Sequence, residues 1–234
     1  MNDESVLEII LKTVTEKARE DKDQSLSDGE DVVHVSKLSR GCARFEEKKS
    51  YEEDLKGFIK DLLSGNNNSV SWLLGQLVHI ALESLNDRKV VDGCVITSEK
   101  EIEKEVNVPC PPYTVKVVGH VDMFVECPNK KFAIELKYRS SGELGIRSLY
   151  QTKIYSAALN VPVYIVMITP EKVKVEKVEA DEEFLRNIVS QFKCEGMIKE
   201  IVYNPDARPC NNCVHRDSCE ILKSAAKVLI NKSF

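Results

Sequence analysis

Two runs decide how this chain is read: Gly119-His120-Val121-Asp122-Met123-Phe124-Val125 and, past a turn, Phe132-Ala133-Ile134-Glu135-Leu136-Lys137-Tyr138. The first lies in Tyr113–Val125, where Val115, Val117, Val121 and Val125 alternate onto one face of a strand and Val118, His120, Asp122 and Phe124 onto the other. In Lys131–Tyr138 the same period puts Ala133, Glu135 and Lys137 on one face and Phe132, Ile134 and Leu136 on the opposite one. Cys127-Pro128-Asn129 turns the chain between them. The expected hairpin brings Asp122 within reach of Glu135 and Lys137.

Downstream, Gly142–Gly145 reads as a loop and Ile146–Asn160 as a helix packed through Ile146, Leu149, Ile154 and Ala157, with Gln151 and Tyr155 one turn apart. Val161–Thr169 is a nearly continuous apolar strand, read as buried on both faces. Strand, helix, strand is a βαβ crossover, expected to be right-handed. Lys172–Val178 adds a strand, and Asp181–Ile201 a helix with an acidic first turn. Pro205–Cys219 is a cysteine-bearing loop before a last short helix near Glu220–Ile230.

Upstream, Lys100–Val108 alternates as a half-exposed strand and ends at Pro109–Pro112. Val70–Leu85 carries a broad apolar stripe of Trp72, Leu73, Leu77, Ile80, Ala81 and Leu85 after a loop at Ser64–Ser69. Ser36 is placed to cap a helix through Lys37–Lys49. Ser5–Arg19 reads as an amphipathic helix and Asp21–Asp31 as an acidic linker. The whole is α/β, an α+β mixed sheet, in four segments: 1–32, 33–90, 91–202 and 203–234.

At 234 residues, 42% hydrophobic and 30% charged, the composition is that of a globular protein with a proper core. No apolar run is long enough to span a bilayer and the N-terminus is acidic, so no membrane association and a cytoplasmic location are expected. The net charge of −5 argues against indiscriminate nucleic-acid binding while allowing a local basic face. Three of eight cysteines crowd into Cys210–Cys219, which suits a metal or cluster in a reducing compartment better than disulfides.

Asp122 and Glu135 supply hard oxygen ligands suited to magnesium or manganese. Lys137, on the side of Glu135, can orient a water or stabilise charge growing on a phosphate. Phosphodiester hydrolysis asks for that set. The bland alternative is a solvated cross-strand pair, and Glu-x-Lys alone in so charged a chain would favour it. Charges on a strand leading into a crossover helix and a buried strand need a partner or a metal, however, because buried charge is costly. A lone histidine such as His79, on a mostly apolar helix, is by itself more often a boundary residue than a ligand; His120 is a rival on the face of Asp122.

Gly119-x-x-Asp122, Glu135-x-Lys137 and Gln151-x-x-x-Tyr155 together resemble the successive motifs of the RecB-like nucleases in the PD-(D/E)xK superfamily. The resemblance implies a restriction-endonuclease-like nuclease core in which Gln151 and Tyr155 line the DNA path. Gly75-x-x-x-His79 is similar to the helix that gives these nucleases a histidine ligand. The implied manganese or magnesium site is then His79, Asp122 and Glu135, with the Leu136 backbone as a further ligand.

Cys210-x2-Cys213-x5-Cys219 supplies three soft ligands where a tetrahedral site or cubane cluster wants four. Cys94, Cys110, Cys127, Cys194 and Cys42 compete for the fourth place, and spacing alone leaves zinc as good a reading as iron–sulfur. A subset of RecB-like nucleases encloses the fold with one upstream and three C-terminal cysteines on a 4Fe-4S cluster. Cys42, in Ser36–Phe45, looks like that upstream ligand.

The order of motifs most resembles the CRISPR-associated RecB-like exonucleases, the fourth Cas family, over roughly residues 33–222. This implies cleavage of single-stranded DNA, exonucleolytic in its main mode and with endonuclease activity admitted, in spacer acquisition beside the CRISPR integrase proteins. Arg40, Arg44, Arg139, Arg147 and Lys153 are the cations placed to meet phosphates, each with a bland reading as solvated surface charge. On this reading Asp122→Ala or Lys137→Ala abolishes cleavage and leaves fold and cluster intact. Two other readings stay open: an adaptor or DNA-binding subunit of an integration complex with little catalysis of its own, and a viral or recombination nuclease with the same chemistry.

Overall fold

A seven-stranded sheet carries the molecule, and the computed structural model that shows it describes residues 11, 31–46, 55–83, 89–139, 143–204, 210 and 213–220. The strands are β1 (Val32–His34), β2 (Lys89–Val91), β3 (Cys94–Pro109), β4 (Pro112–Cys127), β5 (Lys130–Tyr138), β6 (Val163–Ile168) and β7 (Val173–Val178). Their order is β2-β3-β4-β5-β6-β7, with β1 beside β4. Pairing is antiparallel except at β5–β6 and β1–β4. The parallel β5–β6 pair is joined by α4 (Ile146–Leu159), the crossover read from the sequence. The fold is therefore mixed α/β with a mostly antiparallel open sheet.

β4 is central and buried on both faces: Val118, Asp122 and Phe124 are as enclosed as Val115, Val117, Val121 and Val125. One face meets α4, α5 (Glu182–Ser190) and α1 (Val35–Leu38), so that Val33, Val35, Leu38, Ile154, Leu185, Ile188 and Ile201 form one core with the strand valines. A smaller core joins Leu11 with Phe58 and Ile59 of α2 (Leu55–Leu63) and with Trp72 and Leu73 of α3 (Asn67–Glu83). Phe58 and Trp72 meet edge to face at 5.1 Å. α3 packs on β3 and β5.

Several boundaries differ from the sequence reading. The helix expected from Ser36 is only α1, with His34 at its N-cap and no side-chain cap bond. It stops because Gly41 turns left-handed (φ 78°) against Ile201, whose side chain lies 2.7 Å from where a Cβ would stand. The long helix from Asp181 opens with the expected acidic first turn, Glu182 and Glu183, and the structure adds a cap, the Phe184 N–H donating to Asp181 Oδ1. It widens into a π-turn at Gln191–Glu195, ends at left-handed Gly196, and resumes as α6 (Lys199–Val202). β6 alternates buried and half-buried side chains instead of being buried on both faces.

The packing face of α4 also differs. Ser148, Thr152, Ile154, Tyr155, Ser156 and Ala157 are buried, while Ile146 and Leu149 are half-exposed. Small residues at 148, 152 and 156 bring the helix close to the sheet, and their hydroxyls are satisfied locally. Thr152 Oγ1 donates to the Ser148 carbonyl; Ser156 Oγ donates to the Val161 carbonyl and accepts from the Ala180 N–H.

Four of the eight cysteines are paired, against the expectation that thiols would prevail throughout. Cys94–Cys127 joins the start of β3 to the end of β4, directly opposite in the hairpin, and Cys110–Cys194 ties the β3–β4 turn to the π-turn. Among the described residues no helix is long and apolar enough to cross a membrane. Apart from Leu11, the expected helix at Ser5–Arg19 lies outside the described residues, as do nearly all of the acidic linker after it and of the helix beyond Glu220.

Candidate functional site

The site lies where the sheet splays. On one edge of β4, β1 pairs with Lys116–Val118 and β5 with Met123–Cys127. Gly119–Asp122 in between has neither neighbour, because β5 leaves β4 after Ile134 and follows β6 as far as Tyr138. The Leu136 N–H, which faces β4, donates instead to Asp122 Oδ2 at 2.6 Å. On either side of Leu136, Glu135 and Lys137 meet through Oε1 and Nζ at 2.6 Å. The hairpin thus brings together the three residues expected from the sequence.

These charges are deep. Asp122 is 4% exposed and Glu135 1%. Burial pushes the Asp122 carboxyl above its ordinary value, although the Lys137 ammonium and the Leu136 N–H work the other way. For Lys137 burial acts downward, yet the Glu135 and Asp122 carboxylates outweigh it and the pKa stands raised. The lysine is held charged between two acids.

Tyr155 and Gln151 roof this group from α4. Gln151 Nε2 donates to the Tyr155 hydroxyl at 3.2 Å, and Tyr155 is 4% exposed. Burial, then the nearby Glu135 carboxylate, pushes its phenol well above the usual range, so it stays a neutral O–H. Gly119 makes the approach feasible: a Cβ there would stand 3.0 Å from Val35 Cγ2 and 3.4 Å from the Tyr155 ring. The glycine of Gly119-x-x-Asp122 is accordingly a packing requirement of helix on strand.

One residue escaped the sequence reading. The β3–β4 ladder runs Ser98↔Met123 and then Lys100↔Val121, with no rung between. Glu99 and Asp122 would form it, and Glu99 instead has φ 46°. Its carboxylate acts on the Tyr155 phenol alongside Glu135 and Asp122, which puts a third acid in the neighbourhood. Alternation in Lys100–Val108 stopped one residue short of it.

For a divalent ion the described side chains offer Asp122 and Glu135, and Glu135 Oε2 is buried without a hydrogen bond. A buried carboxylate oxygen beside a second acid fits a hard cation. Among the described residues no group of three or more His, Cys, Asp or Glu is close enough to hold one ion. His79 is on α3, the helix against β5, and its side chain is outside those described.

The remaining cysteines gather at a second place. Cys94, Cys110, Cys127 and Cys194 are in disulfides, leaving Cys42, Cys210, Cys213 and Cys219 as thiols. All four line one cavity of about 360 Å³ with Arg44, Phe45, His215 and Arg216. Burial, with repulsion from Cys219 and Cys213, raises the Cys42 pKa despite backbone bonds that lower it; Cys210 is raised by burial and then by Cys42. The four thiols surround a space rather than a point, and among the described residues no three of them are close enough to hold one ion. The strip leading to Cys42 is tied to the C-terminal side: Ala43 N–H to the Gly196 carbonyl, Ile198 N–H to the Gly41 carbonyl, Val214 N–H to the Glu46 carbonyl.

Of the cations expected to meet phosphates, Arg40, Arg139 and Arg147 line a cavity of about 440 Å³ shared with Lys137 and Gln151. Arg44 belongs to the cysteine cavity. Lys153 lies elsewhere, over the rings of Tyr150 and Phe184 at 5.9 and 5.3 Å.

No protein-family model matches the chain, and no curated protein matches it. It is similar to the crystal structure of a protein designated SSO0001, at 20% identity and a TM-score of 0.63, covering 91% of this chain and 96% of that one. That similarity is one of fold.

Proposed function

We propose that this protein is a metal-dependent deoxyribonuclease acting on single-stranded DNA, chiefly as an exonuclease, with a 4Fe-4S cluster on Cys42, Cys210, Cys213 and Cys219. The observation that carries the reading is the buried group of Asp122, Glu135 and Lys137 at the splay of β4 and β5, roofed by Gln151 and Tyr155. A purely structural sheet has no use for two acids and an ammonium there, since desolvating them is costly. The motif order supports the CRISPR-associated exonucleases as its family and integrase proteins as partners.

Asp122 and Glu135, with His79, would hold manganese or magnesium, which when bound neutralises phosphate charge and makes a water more acidic. The chain's own contribution is positional. Leu136 N–H fixes the Asp122 carboxylate. Glu135 fixes Lys137, whose remaining N–H groups can donate to a non-bridging phosphate oxygen or to the attacking water. The neutral Tyr155 hydroxyl, steered by Gln151, lends a further donor at the roof.

The test is degradation of end-labelled single-stranded DNA with manganese, with and without chelator, by wild type and Asp122→Asn. That amide keeps an acceptor for Leu136. Chelator-sensitive cleavage lost in Asp122→Asn is expected; cleavage untouched by both would sink the reading. For the cluster, brown protein with broad absorbance near about 400 nm is expected, and colourless protein with stoichiometric zinc would overturn it.

A further inference from the structure

The open sheet has two edges, and they are built differently. β2 at one end is three residues long, the short kind of edge that offers little to pair with. β7 at the other end is the six-residue run Val173-Lys174-Val175-Glu176-Lys177-Val178, and among the described residues only β6 pairs with it. Its second row of backbone N–H and C=O groups therefore faces outward. Val173 and Val175, 62% and 58% exposed, lie with Lys177 on the sheet face away from α4. On the other face Lys174 and Glu176 form an ion pair with 49% and 37% of their side chains exposed.

The sequence of this edge is complementary to itself. Residues directly opposite in an antiparallel pair share a sheet face, so two copies of β7 related by a two-fold axis must meet with the axis through a residue. Two such registers engage five of the six residues, 173–177 with the axis at Val175 or 174–178 with the axis at Glu176. The second sets the Glu176 carboxylate against its own copy. The first sets Val175 against its own copy, Lys174 against Glu176 of the second copy on both sides of the axis, and Val173 against the aliphatic stem of Lys177. Opposite charges then stand about 5 Å apart across the pair, and like charges only on the diagonals of about 7–8 Å. An axis at Lys174 pairs fewer residues and puts ammonium on ammonium.

We propose that β7 is a self-association edge, on which a second copy of this chain adds antiparallel across a two-fold axis at Val175 to make one continuous sheet. None of the residues of the carboxylate site takes part, so the inference stands apart from the nuclease reading. It does set where two such sites would lie. Leu136, Val166 and Val175 share one rung of the sheet, so the axis is level with the Leu136 N–H that holds Asp122. An axis normal to the sheet keeps both α4 helices on one side. The two centres accordingly open on the same side, five strand spacings or about 24 Å apart.

The test is sedimentation equilibrium of the full-length protein with disulfides intact. Wild type, Lys174→Glu, Glu176→Lys and the double swap Lys174→Glu with Glu176→Lys are compared, and far-ultraviolet circular dichroism confirms that each folds. A wild-type dimer with a dissociation constant on the order of micromolar is expected, since a five-residue edge lies at the small end of specific interfaces. Each single variant sets two like-charged pairs across the axis and should weaken the dimer at least about tenfold. The double swap should restore it. An equimolar mixture of the two single variants should also associate, because a strand with glutamate at 174 and 176 then meets one with lysine at both. A wild type that is monomeric at about 100 μM overturns the proposal. So does a dimer that both single variants leave unchanged, which would place the contact on another surface, and so does a loss that neither the double swap nor the mixture repairs.

Discussion

Lys137→Met isolates the energetic core of the site. Lys137 and Glu135 pair at 2.6 Å with 18% and 2% of their side chains exposed, so the methionine leaves Glu135 as a buried charge without its partner. Breaking such a pair costs about 3–5 kcal/mol; the remaining exposure of Lys137 places the expectation near 3 kcal/mol, or about 6–12 °C in Tm for a chain of this size. The sequence expectation that a Lys137 substitution leaves the fold untouched is therefore revised. Glu135→Gln combined with Lys137→Met removes both charges, and that double variant should return to within about 1 kcal/mol of wild type. Urea unfolding of the four proteins of this cycle, in chelator and with disulfides intact, measures the coupling. A loss under about 1 kcal/mol for Lys137→Met, the range of exposed ion pairs, would refute the reasoning and restore the pair to the surface.

Asp122→Asn tests the raised carboxyl. A folded pKa above the ordinary 3.8 means that the folded state holds the proton more tightly, so its contribution to stability is full below that value and is lost as pH rises through the folded pKa. The amide should flatten this decline in chelator, measured as Tm against pH, and match or exceed wild type at neutral pH while losing cleavage. Glu99→Gly, at φ 46°, should gain about 1 kcal/mol in denaturant unfolding by relieving the left-handed backbone; a loss instead would show that the Glu99 carboxylate contributes more than the strain costs. Reducing Cys110–Cys194 and Cys94–Cys127, separated by 84 and 33 residues, should cost about 3–5 kcal/mol per bridge in the chain-entropy picture. Thermal unfolding with and without reductant checks it, and a non-reducing peptide map that yields free thiols at all four positions would remove its basis.

The site was more legible than the fold around it. Alternation placed Asp122, Glu135 and Lys137 because a period of two leaves little freedom once both strands are buried. It could not show that β5 leaves β4 after Ile134, since splay depends on the competing edge of β6 and on β1, whose Val32-Val33-His34 is too short to read. The helix drawn from Ser36 failed because Gly41 and Ile201, far apart in sequence, fix the turn. Four cysteines were misjudged for a related reason: Cys94 and Cys127 meet only through a hairpin register, and Cys110 and Cys194 only through tertiary packing. Glu99 carried no signal, because a left-handed glutamate looks like any other.

The ties of the Gly41–Glu46 strip have a temporal side. Its partners, Gly196, Ile198, Cys210, Cys213 and Val214, all follow β7 in the chain, whereas Asp122, Glu135, Lys137, Gln151 and Tyr155 precede it. During synthesis the splayed sheet and its carboxylates can therefore assemble before the last cysteines leave the ribosome. Cys42 waits longest for its neighbours. Any group held at the four thiols would join a body whose other centre can already be built, and without one the strip around Cys42 would rest on its backbone bonds, on the Glu46–His215 contact and on the packing of Gly41 against Ile201.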